Sequence, residues 1–154
     1  MTDEEIERLL DARDVPAIAA LAREEVEAYL ERLVQRRAID HEKEDADRLI
    51  RTGYLLHQAG WARADRALTA ILAAAPTEGT LDIVCLILTG LWRSGADPDA
   101  LRTLGRIERT VAADGLGPDA TVAYRNAVEV AQHVATTRGD HSVAALASAQ
   151  LRRP

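Results

Sequence analysis

Apolar residues return along this chain at helical spacing, and capping residues cut the pattern into segments of similar length. Thr2-Asp3-Glu4-Glu5 supplies an N-cap and an acidic first turn for a helix over 3–12, and Asp14-Val15-Pro16 opens a second over 15–37. Ile18, Ala22, Val26, Tyr29, Leu30, Leu33 and Val34 share one face of that second helix, as in an amphipathic segment. From Arg36 to Asp47 apolar residues are sparse, which predicts a break with Asp40 as a new N-cap. Six further helices are expected over 42–59, 61–75, 78–94, 97–113, 119–138 and 141–152. Gly60, Ala75-Pro76-Thr77, Gly95-Ala96-Asp97-Pro98, Asp114-Gly115-Leu116-Gly117-Pro118 and Gly139-Asp140 divide them. The fold expected is all-α, with seven or eight helices in antiparallel hairpins, and no linker is long enough to split residues 1–154 into two domains.

Composition narrows the class further. The 154 residues include 29 Ala and 19 Leu but only five aromatics and no Phe, a mixture that favours closely packed helices and excludes an all-β fold. A chain of this length buries a sizeable core without disulfides or metal. Cys85 is the single cysteine and lies in the run Leu81-Asp82-Ile83-Val84-Cys85-Leu86-Ile87-Leu88, which makes it a core thiol in a reducing compartment. The acidic start is the reverse of a signal peptide, and the longest uncharged stretches reach about half of the ~20 residues that a membrane span needs. A cytoplasmic protein without membrane association is expected. Of the 19 basic residues only Lys43 is a lysine, an Arg bias that together with the Ala content points to a GC-rich bacterial genome.

Charge is unevenly placed. Residues 1–47 hold 15 Asp/Glu against 7 Lys/Arg, net −8, whereas residues 48–154 hold 10 against 12, net +2. A nucleic-acid partner is not expected, because backbone binding needs a basic face able to displace condensed counterions. The clusters Glu24-Glu25-Val26-Glu27 and Asp40-His41-Glu42-Lys43-Glu44-Asp45 with Asp47 read as solvated helix faces, and His41 and His141 as solvated residues near helix starts.

Aligning the chain on Gly60, Gly95 and Gly139 exposes a recurring apolar pattern. Leu49, Thr52 and Leu56 precede the first glycine by 11, 8 and 4 residues, as do Val84, Ile87 and Leu91 the second, and Val128, Ala131 and Ala135 the third. Ala100, Leu104 and Ile107 follow the second glycine at the offsets at which Ala144, Ser148 and Leu151 follow the third; after Gly60 a turn one residue shorter gives Ala64, Leu68 and Ile71, then Pro76. Through Leu49, Gly53, Leu56, Gly60, Ala64, Leu68, Ile71 and Pro76, then Ile87, Leu91, Gly95, Ala100, Leu104 and Ile107, and finally Ala144, the segment from about 46 to 152 resembles the tetratricopeptide-repeat family of helical hairpins. Leu86-Ile87-Leu88-Thr89-Gly90-Leu91-Trp92-Arg93-Ser94-Gly95 carries a weaker resemblance to pentatricopeptide repeats, whose members read single-stranded RNA. The first resemblance implies three hairpins over 41–154 stacked as a short right-handed solenoid, residues 1–40 capping one end, and a concave groove lined by the first helix of each hairpin.

That groove would present Tyr54, His57, Trp92, Arg93, Glu129 and His133, side chains suited to grip a peptide or a partner helix. Tyr54 and Trp92 equally fit a core otherwise short of aromatics. Glu129 and His133, four apart on one helix, together with His57, could also hold a zinc ion or form an oriented general base. No phosphate loop, nucleophile elbow, dinucleotide fingerprint or metalloprotease motif occurs. The function expected is therefore a protein-interaction module without cofactor or metal. The alternative is a small helical ligand-binding protein or enzyme of bacterial specialised metabolism that uses the groove as a pocket. Self-association through an exposed apolar stripe is a further expectation.

Overall fold

The computed structural model describes residues 1–40 and 45–152, and among them every regular element is helical. The order is α1 (Asp3–Asp11), α2 (Val15–Ala19), α3 (Arg23–Ile39), α4 (Asp45–Gln58), α5 (Ala64–Ala74), α6 (Glu78–Leu91), α7 (Pro98–Ala112), α8 (Pro118–Arg138) and α9 (His141–Leu151). A single 3₁₀ turn, Trp92–Ser94, closes α6. Side-chain caps fix the starts: Thr2 accepts from the Glu5 amide while Glu5 reaches back to the Thr2 amide, and Asp14, Thr77, Asp97 and Asp140 cap α2, α6, α7 and α9. None of these helices is long and apolar enough to cross a membrane.

The helix expected over 15–37 is two helices. The chain turns at Ala20-Leu21-Ala22, where Leu21 is buried and the Glu25 carboxylate accepts from the Ala22 amide at 3.4 Å. An alanine N-cap has no acceptor of its own, so nothing in the local sequence announces the turn. Ala22, assigned to the apolar face, is exposed at this corner. Asp40 closes α3 as its C-cap, and residues 41–44, which include His41 and the expected start of the next helix, lie outside the described residues.

α4, α6 and α8 lie side by side with α6 in the middle, and α5, α7 and α9 form a second row. α5 also touches α6, α9 folds back along α8, and α3 lies across α5 and α6. α4 and α6 run in the same direction, since the contacts Gly53–Ile87 and His57–Ser94 advance together along both. They meet backbone to backbone: a Cβ on Gly53 would stand 1.9 Å from the Ile87 carbonyl oxygen, and one on Gly90 2.0 Å from that of Ile50. Glycine is required at both positions by this approach. Enclosed by α4, α8, α3 and α5, α6 is buried all round, from Thr80 through Cys85 and again at Ile87, Leu88, Gly90 and Leu91. One core runs from Ile6 through this helix to Ala147.

Candidate functional site

α4 ends in an amphipathic last turn whose outer side carries Tyr54 and His57, and the 3₁₀ turn beside it sends Arg93 outward. The Arg93 guanidinium sits 4.8 Å from the Tyr54 ring centre, and that ring stacks on the His57 imidazole at 5.8 Å and 28°. His57 Nδ1 is hydrogen-bonded to Ser94 Oγ, and Arg138, from the last turn of α8, donates to the Ser94 carbonyl. Gln58 Nε2 donates to the Tyr54 hydroxyl at 3.3 Å. Partial burial, Arg93 and Arg138 together lower the His57 pKa from its ordinary 6.5, so the ring is neutral at pH 7. Among the described residues no carboxylate lies within ion-pair distance of Arg93 or Arg138. The cluster thus offers two guanidinium groups and an aromatic stack at the surface, a combination suited to a carboxylate beside an apolar or aromatic side chain.

Of the six residues expected to line a groove, Tyr54, His57 and Arg93 come together here. Glu129 and His133 stand on the exposed face of α8, where Glu129 approaches Arg125 of its own helix at 3.9 Å. No hydrogen bond or ion pair among the described residues joins them to His57, and no three His, Cys, Asp or Glu side chains gather closely enough to hold a metal ion. Five cavities of about 140 to 440 Å³ at the surface are lined by other residues.

Trp92 is a correction. It is fully buried and belongs to the core, because α6 has neighbours on every side and offers no open face for a groove. Its indole Nε1–H donates to Asp65 Oδ2 at 2.9 Å, and the same oxygen accepts from the Asp97 amide at 2.9 Å. Asp97, which caps α7, also receives Arg66 at 2.9 Å and Arg63 at 3.4 Å, and chiefly the Arg66 bond draws its pKa below the usual 3.8. Arg63 stands 3.7 Å from Asp65. Asp65 is fully buried and was not among the expected site residues, yet its place in the sequence carries a signal. With Leu68 and Leu72 it occupies positions i, i+3 and i+7, a carboxylate on the apolar face of α5.

Cys85 is fully enclosed, and burial together with Asp82 and Glu108 pushes its thiol well above the ordinary range, which leaves it unreactive. Compared with known families, curated proteins and solved structures, the chain matches none.

Proposed function

We propose that the chain is a protein-interaction module that docks a peptide segment bearing a carboxylate on the surface made by Tyr54, His57, Arg93 and Arg138. In this reading α4 to α9 are three tetratricopeptide-like hairpins and α1 to α3 cap one end. The row α4, α6, α8 holds the first helix of each hairpin and the row α5, α7, α9 the second, an order that supports the reading; α8 and α9 pack along each other, whereas α4 with α5 and α6 with α7 touch little. The observation that carries it is the pair of arginines without a carboxylate partner among the described residues, one stacked on a solvent-facing tyrosine. Arginine and tyrosine are the residues that most often anchor a partner.

A displayed library of random peptides with free C-termini, selected on the full chain, tests this. The expected result is a binder enriched in Asp, Glu or a terminal carboxylate whose affinity falls about tenfold or more for Arg93→Glu and for Tyr54→Ala. Affinity for Arg8→Glu, exposed on α1 away from this surface, is expected to stay unchanged. Binders indifferent to both substitutions on this surface would remove it from the reading.

A further inference from the structure

Three grooves follow one another across the row α3, α5, α7, α9. The first, between α3 and α5, holds about 440 Å³ and is edged by Glu24, Glu27 and Glu31 over Ala67, Ala70 and Ala74. The last, between α7 and α9, holds about 360 Å³ and is edged by Arg102, Arg106 and Arg109 over Leu146 and Ala149. Positions i, i+3, i+7 and i, i+4, i+7 keep each set of charges on one stripe of its helix. Arg23 pairs with Glu27 at 2.9 Å and Asp99 with Arg102 at 2.9 Å, while Glu24, Glu31, Arg106 and Arg109 have no ion-pair partner among the described residues. The middle groove, between α5 and α7, sets Arg66 against Asp97 and is edged by Asp99, which pairs with Arg102; it presents the exposed alanines Ala70 and Ala73. Ala70 borders both of the first two grooves, so they share a face.

We propose that the chain pairs with a second copy of itself through this face, the acidic α3/α5 groove of each copy seated against the basic α7/α9 groove of the other. A two-fold axis lying along the helices at the α5/α7 groove reverses the helix order between facing copies and brings opposite charges together twice. An axis across the helices sets Glu against Glu and Arg against Arg, so charge selects the first arrangement. The small side chains at the axis let the two α5/α7 surfaces approach closely. Four helices spaced by ~9 Å and ~20 Å long present roughly 600 Å² per copy, close to the ~800 Å² per partner of a stable interface. The proposal does not depend on the peptide surface at Tyr54, which lies on other elements.

Sedimentation of the purified chain tests it. At about 0.1 M NaCl the expected mass is twice 16.8 kDa, and raising salt to about 1 M is expected to weaken the dimer at least tenfold while circular dichroism stays constant. One variant carries Glu24→Arg, Glu27→Arg and Glu31→Arg, and a second Arg102→Glu, Arg106→Glu and Arg109→Glu. Each alone is expected to lose dimerisation by about 100-fold, and an equal mixture of the two to recover it, because the two altered faces complement each other. A wild-type chain that stays monomeric at about 100 µM, a dimer indifferent to salt, or a mixture that does not associate would overturn the proposal. The salt titration needs no variant, so a substituted chain that fails to fold leaves the test standing.

Discussion

Asp65 is the residue on which three elements converge. Its Oδ2 receives the indole of Trp92 from the 3₁₀ turn and the amide of Asp97 at the start of α7, while its other oxygen, also buried, has no hydrogen-bond partner. A carboxylate is costly to bury, and here the cost is offset by two donors that would otherwise be stranded in the core and by the nearby Arg63. Asp65→Ala leaves both donors without an acceptor and is expected to lose about 3 kcal/mol in urea unfolding, at ~1–3 kcal/mol per buried unsatisfied group. Asp65→Asn keeps an acceptor oxygen for both and is expected to lose about 1 kcal/mol. A red shift of Trp92 emission in the alanine variant, read in a Trp61→Phe background, would locate the change. Equal stability of the alanine variant and the wild type would count against this account. Local pattern marks Asp65 as buried, but its partners stand 27 and 32 residues away, so the bond that places Trp92 is not visible at that range.

At the scale of elements, helices and their breaks follow closely from caps and glycines, and the differences have definite causes. The end of α6 tightens into a 3₁₀ turn, and α2 parts from α3 at a corner whose capping residue is an alanine. Which helix face meets solvent was harder to read. Tyr54 and His57 stand 6 and 3 residues before Gly60 and His133 stands 6 before Gly139, all on outer faces of α4 and α8, but the residue 3 before Gly95 is Trp92, which is buried. The uninterrupted apolar run of that helix already implied burial all round, and it outweighs the repeat register. Close approach of α4 depends on Gly53 and Gly90, and Gly90 is not part of the repeat pattern. Gly53→Ala and Gly90→Ala each force the helices apart by an atom's width. Each is expected to destabilise by about 3 kcal/mol or more, the upper range for overpacking, despite alanine's better helix propensity of ~1 kcal/mol. Chemical denaturation checks this; a gain in stability from either substitution would mean that the two backbones are not in contact.

Across the whole molecule, the acidity of α1 and α3 separates into two parts. Asp3, Glu7 and Asp11 pair with Arg32, Arg36 and Arg48 of neighbouring helices, at 2.6, 2.8 and 3.3 Å, while the outward stripe of α3 keeps its charge. α1 therefore rests on two buried side chains, Ile6 and Leu10, and on partly exposed ion pairs worth ~1 kcal/mol or less apiece. α2 is five residues long, below the ~12 at which an isolated helix holds, and is tied down by Ile18, whose carbonyl accepts the Trp61 indole N–H at 3.0 Å. At the other extreme α6 can open only if its neighbours open. Stability is thus graded from the N-terminal helices to the centre, and native-state hydrogen exchange should follow the gradient. Amides of α1 and α2 are expected to exchange at least ~100-fold faster than those of α6, and about 1 M salt is expected to accelerate α1 by a few-fold while leaving α6 unchanged, because screening reaches only the exposed pairs. If α1 were as protected as α6, or indifferent to salt, the ion pairs at Arg32, Arg36 and Arg48 would not be what holds it, and the two apolar anchors would have to carry the segment alone.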